Sequence, residues 1–202
     1  ATEMIDTMRD ALPKMFNTFP KADLTVKAVE AFREKSAGKA FYQRPAPDGS
    51  RPGTYYANLY NMADMPVYQM EALAYHEGIP GHHMQIAIAQ ELKDVSKFRK
   101  FGGYTAYTEG WGLYSEYFPK EYGFYEDPYS DFGRLAMELW RAARLVGNLV
   151  GAQQARTVEL SIVEQHLREA EVVRGRGDQA STGVRYLIPV APHALPRRVD
   201  EA

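Results

Sequence analysis

The 202 residues of the chain, 45% of them apolar, can bury one sizeable hydrophobic core, so we expect one globular domain. A formal charge of −2 provides no basic field for nucleic acid, and no apolar run approaches the roughly 18 residues that a membrane span needs. Because cysteine is absent, disulfides and thiolate metal ligands are excluded, and any metal must be held by His, Asp or Glu.

The first third of the chain predicts a helix and then a small sheet. Apolar residues recur at helical spacing in "TEMIDTMRDALPKMF", and Pro13 is expected to kink or end this helix. Between residues 25 and 60, the segments "TVKAV", "KAFYQR" and "GTYYANLY" are typical of short strands. The turn-forming segment "PAPDGSRPG" separates the last two, so we expect a small sheet here.

The middle of the chain predicts mainly helices. Asp64 is a plausible N-cap for a helix that starts near residue 65, with Pro66 tolerated in its first turn. Further helices are predicted near 82–93, 104–118 and 130–147 from their apolar spacing. The expected fold class is therefore mainly α with a small β-sheet, an α+β fold.

Composition changes abruptly after residue 147. All nine lysines lie before it, and Tyr186 is the one aromatic residue beyond it. We expect a core over residues 1–147 and a divergent tail over 148–202, with a helix at 157–172 and loop or disorder from 173 onward. His166 and His193 are expected to be a solvated helix position and a loop residue. The chain starts at Ala1 without an apolar leader, which suggests a processed or incomplete N-terminus, and no compartment or oligomeric state is indicated.

The segment "ALAYHEGIPGHHMQIA", residues 72–87, carries three of the five histidines. In a regular helix, His82 would lie about 240° around from His76, and His83 about 10 Å along the axis, so neither could share a metal with it. Pro80 and its flanking glycines predict a bulge that returns His82 to the side of His76, with Glu77 beside it as a general base. The alternative is an ordinary helix–turn–helix with surface histidines.

The second candidate segment is "YTAYTEGWGLYSEYF", residues 104–118. Glu109 lies in a predicted helix whose aromatic and Leu side chains should pack inward, and a carboxylate in such surroundings is costly unless paired or metal-bound. The alternative is that Glu109 only favours the helix dipole. Glu116, two turns later, is expected to be solvated.

Together, "HEGIPGHH" and "TEGWGLYSE" resemble the gluzincins, the zincin metallopeptidases with a glutamate as third zinc ligand. Residues 11–147 more broadly resemble the C-terminal catalytic part of a large bacterial family catalogued as a domain of unknown function. The resemblance implies a zincin-like helical core from a larger fold, with Zn²⁺ held by His76, His82 and Glu109 and with Glu77 as general base. His82 is preferred over His83 because the Gly-His of "PGHH" matches the Gly-His of related zincins.

The resemblance also suggests how a substrate binds. Zincins align a peptide as an added strand on the edge of a small sheet, and "GTYYANLY", with Tyr55 and Tyr56, is the weak candidate here. Alternatively, its tyrosines only cover the faces of the sheet. Three arginines of the 130–147 helix are expected to form a solvated face rather than to bind a substrate carboxylate, namely Arg134, Arg141 and Arg144.

The predicted function is zinc-dependent hydrolysis of peptide bonds, with a peptide or small amide as substrate and no nucleic-acid partner. Because the resemblance stops near Val146, a segment that supplies the oxyanion donor is expected to be missing, although Tyr104 and Tyr107 lie near Glu109 in sequence. One alternative is a non-catalytic remnant or binding module. Another is a zinc hydrolase of non-peptide amides or esters.

Overall fold

The computed structural model describes residues 1–150, with side chains described up to residue 145. The described part contains six helices and one three-stranded sheet, an α+β fold as predicted. The helices are α1 (Thr2–Ala11), α2 (Val67–Glu77), α3 (His82–Glu91), α4 (Lys97–Phe101), α5 (Thr105–Tyr117) and α6 (Pro128–Val150). The strands are β1 (Leu24–Ala28), β2 (Ala40–Gln43) and β3 (Gly53–Ala57).

The sheet has the order β1-β3-β2, with β1 parallel and β2 antiparallel to β3. The three predicted strands are thus confirmed. The expectation that "GTYYANLY" offers an edge was wrong, because β3 is the central strand and both of its sides are already hydrogen-bonded. A peptide cannot add to it.

Helix α2 lies at the centre of the helical layer, where it packs against α1, α5 and α6. Its second half, from Ala72 to Glu77, is buried on every side, so polar residues in this stretch need partners inside the protein. The core around it is built from α1, β3, α2 and the turn after α2, and includes Ile5, Met8, Tyr55, Leu73, Tyr75 and Ile79.

The ends of the helices follow local rules, with one exception. Pro13 lies in a short 3₁₀ segment, Leu12–Lys14, that follows the end of α1, as predicted. Asp64, however, does not cap α2. It ends another 3₁₀ segment, Met62–Asp64, and Pro66 is the N-cap residue of α2, because the extended backbone of a proline suits the residue before a helix.

Within residues 1–150, no helix is both long and apolar enough to cross a membrane. The predicted helix at 157–172, the predicted loop from 173 onward, His166 and His193 all lie outside the described residues.

Candidate metal centre

The histidine segment is two helices joined by a buried turn. Helix α2 ends at Glu77 and α3 begins at His82, and the turn between them contains a cis Ile79–Pro80 bond. Gly81 passes so close to the carbonyl groups at the end of α2 that a Cβ atom there would overlap them. The predicted bulge in one continuous helix was therefore wrong, and so was the alternative of surface histidines, because the histidines are buried.

This turn brings the predicted ligands together. The candidate ligand atoms of His76, Glu77 and His82 all lie within 4.8 Å of one another. The two imidazole rings are nearly perpendicular, with centroids 4.6 Å apart. Nδ1 of His82 is buried and has no hydrogen-bond partner within residues 1–150. Three buried polar groups converge here, and such groups normally occur only where they are paired or bind a metal.

Glu109 closes the cluster from the first turns of α5. Its carboxylate oxygens lie 3.5 Å from Nε2 of His76 and 3.7 Å from Nε2 of His82. The side chain of Glu109 is 58% exposed, whereas those of His76 and His82 are 6% and 9% exposed. The cluster is thus buried on the histidine side and open to solvent on the Glu109 side.

Two residues of α5 fix its distance from α2. A Cβ atom on Gly112 would lie 2.5 Å from Cε1 and 2.8 Å from Nε2 of His76, so only glycine allows this approach. Next to it, Trp111 donates a 2.9 Å hydrogen bond from Nε1 to the carbonyl of Pro80 in the turn. Helix α5 therefore holds the turn and the first histidine in place together.

His83 belongs to a different part of the protein. Its Nδ1 lies 3.0 Å from the hydroxyl of Tyr42, and its Nε2 lies 3.0 Å from the carbonyl of Ala22. The ring also packs against Gly53. Burial lowers the pKa of His83 to about 4. With both ring nitrogens engaged away from the cluster, His83 joins α3 to the sheet, which leaves His82 as the residue that faces His76.

Glu116 is a site residue that sequence reasoning missed. It was predicted to be solvated, but it is 1% exposed. Its Oε1 lies 2.6 Å from Nδ1 of His76, and its Oε2 accepts a 2.7 Å hydrogen bond from Arg141. The available signal was the helical period, because Glu109, Gly112 and Glu116 at positions i, i+3 and i+7 share one face of α5.

The predicted solvated arginine face of α6 is confirmed only for Arg144, which is exposed. Arg134 is 4% exposed and donates to Asp131 at 3.0 Å and to Glu138 at 3.2 Å. Arg141 is partly buried against Glu116. The prediction failed because both arginines are paired with carboxylates rather than solvated. Arg134 pairs with neighbours on its own helix at helical spacing, whereas Arg141 pairs with Glu116 of α5, which sequence spacing does not reveal.

Several tyrosines lie near the cluster in sequence, and their positions differ. Tyr104 and Tyr107 are 76% and 68% exposed, and Tyr114, predicted to pack inward, is 51% exposed. Tyr55 and Tyr56 of β3 are buried, and the hydroxyl of Tyr55 has no hydrogen-bond partner within the described residues. A contact of Tyr55 or Tyr56 with substrate stays a prediction.

The electrostatics of the cluster follow from its burial and its carboxylates. Burial alone would lower the pKa of His76, but the neighbouring carboxylates of Glu109 and Glu116 outweigh burial and raise it to about 9. Burial raises the pKa of Glu77 to about 7. Burial, with the charge of His76 nearby, lowers the pKa of His82 to about 4, and the contact with His76 lowers the pKa of Glu109. Without a metal, His76 is thus protonated at neutral pH and His82 is not.

Comparisons with known proteins place the chain in a family. A family model described as "Bacterial protein of unknown function (DUF885)" matches residues 1–148. The chain is also similar to a crystal structure described as that of "the putative lipoprotein from Colwellia psychrerythraea", with 38% sequence identity and a TM-score of 0.72. That match covers 78% of this chain and 29% of the other, so the chain spans less than a third of that protein's length. No curated protein is significantly similar to the chain.

Proposed function

The chain belongs to the bacterial family DUF885, and we propose that it carries the metal centre of a zinc-dependent hydrolase that cleaves peptide bonds. In this proposal His76, His82 and Glu109 hold the zinc, and Glu77 is the general base. The observation that carries it is the convergence of His76, Glu77 and His82 within 4.8 Å, with the oxygens of Glu109 facing both Nε2 atoms.

The donor set fits zinc. Two imidazole nitrogens and one carboxylate are a ligand set that catalytic zinc sites use, and such sites keep one coordination position open. The exposed side of Glu109 supports an open position, whereas a structural zinc site would be enclosed by four protein ligands. The cluster offers two carboxylates, Glu77 and Glu109. We assign the ligand role to Glu109 because one of its oxygens lies within 4 Å of Nε2 of His76 and the other within 4 Å of Nε2 of His82.

Zinc, when bound, supplies a Lewis acid that polarises a carbonyl group and lowers the pKa of a water molecule. The residues of the chain supply the proton transfers. Glu77 lies in the same cluster and is buried, which supports its role as the group that accepts and then returns a proton. It takes a proton from the attacking water and then delivers it to the leaving amine.

Peptide bonds are the proposed substrate because the two motifs resemble those of the gluzincins. The same cluster could hydrolyse other amides or esters, and a panel of peptide, amide and ester substrates separates these possibilities. A remnant without catalytic function would hold zinc poorly or turn over none of these substrates.

The test is Glu77→Gln, measured with quenched-fluorescent peptide libraries and with zinc content per chain. We expect turnover to fall by about 10²–10⁴-fold while about one zinc per chain is retained. Undiminished hydrolysis would exclude Glu77 as the base, and loss of zinc would make it a ligand instead.

Glu71→Gln is the matched control because it removes a carboxylate from the same helix. Glu71 accepts hydrogen bonds from the hydroxyl of Tyr75 and the backbone N–H of Tyr125, so its loss should lower stability by about 1–3 kcal/mol. The turnover rate of the folded protein should stay unchanged.

A further inference from the structure

The metal-facing histidine His76 is held from behind by a carboxylate. Its Nδ1 lies 2.6 Å from Oε1 of Glu116, and the two side chains are 6% and 1% exposed. Nε2, at the far end of the same ring, lies 3.5 Å from Glu109. The ring therefore spans two carboxylates, with Glu116 on the inner side and Glu109 on the open side.

Arg141 of α6 holds the other oxygen of Glu116. Its Nη1 donates a 2.7 Å hydrogen bond to Oε2 of Glu116, and its Nη2 lies 3.5 Å from Nδ1 of His76. Each oxygen of the buried carboxylate thus has its own partner. A carboxylate held at both oxygens cannot rotate about its terminal bond without losing a charge-assisted hydrogen bond.

Two physical requirements explain this arrangement. A hydrogen bond from the second nitrogen of a ligating imidazole to an acceptor fixes both the tautomer and the ring orientation. The acceptor here is a fully buried carboxylate, and a buried charge is tolerated only when it is paired. The guanidinium of Arg141, whose side chain is 34% exposed, supplies that pairing.

We propose that Arg141 is a positioning residue of the metal centre, which acts through Glu116 to hold the His76 ring with Nε2 directed at the metal position. The proposal rests on the proposed function for the identity of the metal, and on the observed contacts for the geometry. A direct role in binding a substrate carboxylate is disfavoured because Arg141 lies on the Nδ1 side of the ring, and the cluster opens on the Nε2 side.

The test compares zinc affinity, measured by competition with a chelator, in four variants. Groups that hydrogen-bond to a metal ligand typically contribute 10–100-fold to metal affinity, so we expect Arg141→Met and Glu116→Gln each to weaken zinc binding by about 10–100-fold. Arg144→Met is the matched control, because Arg144 is an exposed arginine of the same helix, and it should bind zinc as the unaltered chain does. The fourth variant combines Arg141→Met with Glu116→Gln.

The double variant decides whether Arg141 acts through Glu116. If it does, adding Arg141→Met to Glu116→Gln should weaken binding by less than about twofold, because coupled residues are not additive. Full additivity would overturn the proposal, and so would an Arg141→Met variant that binds zinc like Arg144→Met. Arg141→Lys keeps the charge but not the two-pronged guanidinium, so it should bind zinc more tightly than Arg141→Met and more weakly than the unaltered chain. It serves if Arg141→Met does not fold.

A second readout needs neither zinc nor activity. In the metal-free protein, proton NMR with labelled histidine should show a far-downfield Nδ1 proton for His76, which is retained in Arg144→Met, lost in Glu116→Gln, and shifted upfield or broadened in Arg141→Met. An unchanged resonance in Arg141→Met would overturn the proposal. A chain that binds no zinc but shows this pattern would refute the proposed function and leave the positioning role intact.

Discussion

The two sides of the candidate metal centre are built differently. On the inner side, His76 and His82 are buried. Glu116 contacts His76, and Arg141 donates a hydrogen bond to Glu116. On the outer side, Glu109 is 58% exposed and contacts the imidazoles at distances longer than ordinary hydrogen bonds. Folding thus fixes His76 and His82, whereas Glu109 keeps the freedom to adjust. Changes on the inner side should alter stability and metal binding together, and changes on the outer side should alter metal binding alone.

The largest effect on zinc binding is expected for His82, and none is expected for the adjacent His83. His82→Ala should weaken zinc binding by roughly 10²–10³-fold, because the ~10–16 kcal/mol of a zinc site is shared among its ligands. His83→Ala should leave zinc affinity unchanged but lower the free energy of unfolding by about 2–4 kcal/mol, since it removes two hydrogen bonds and leaves a cavity. Chelator competition and urea unfolding measure the two quantities. If His83→Ala abolished zinc binding instead, the assignment of His82 would be wrong.

Zinc affinity should depend on pH through His76. Because its pKa in the metal-free protein is about 9, zinc must displace a proton below that pH. The apparent affinity should rise about tenfold per pH unit from pH 7 to 9 and then level off. For the same reason, the metal-free protein should lose stability as pH rises from 6.5 through 9, because the protonated form of His76 is favoured in the folded state. Zinc titrations across this range check the first expectation, and a flat profile would contradict it.

Glu109 offers the test of the outer side. Glu109→Gln should weaken zinc binding by roughly tenfold, because an amide oxygen is a poorer zinc ligand than a carboxylate. The melting temperature of the metal-free protein should change little, since substitutions at exposed positions usually stay within about 0.5 kcal/mol. Calorimetry of the metal-free variant should show a nearly unchanged melting temperature, whereas zinc titrations of the same variant should show the weaker zinc affinity. A large loss of metal-free stability would instead place Glu109 with the inner residues.

The last comparison concerns the spacing of α5 and α2. Gly112→Ala places a methyl group against the His76 ring and should cost about 1–3 kcal/mol of stability through overpacking. Gly110→Ala is the matched control on the same helix. A Cβ atom there meets nothing within 4 Å, so it should be neutral or stabilise by up to about 1 kcal/mol through helix propensity. Equal melting temperatures for the two variants would contradict the close approach.

The sequence was sufficient for most of the elements and for the expectation that His76, Glu77 and His82 lie close together. Periodicity predicted the three strands and the main helices, because apolar spacing directly reflects which side of an element is buried. Pro80 between two glycines also indicated a break after His76. What local spacing could not decide was whether the break was a bulge or a turn, because that depends on how α5 packs against it through Gly112 and Trp111.

Long-range pairings were beyond the sequence for a physical reason. Glu116 and Arg141 are 25 residues apart on different helices, and each alone resembles a solvated surface charge. The central position of β3 likewise depends on its parallel pairing with β1. Paired residues of these two strands lie 29 positions apart in the sequence, so no local sequence pattern indicates the pairing. Such features are set by tertiary contacts, which override local preference.

The measurement that tests the central claim most directly is the zinc content per chain, determined by plasma mass spectrometry on protein purified without added metal and dialysed against a weak chelator. Convergence of His76, His82 and Glu109 predicts about one zinc per chain in the unaltered protein and much less in His82→Ala. No zinc in a chain shown by circular dichroism to be helical would contradict the account, because the described residues would then fold without forming a working metal centre.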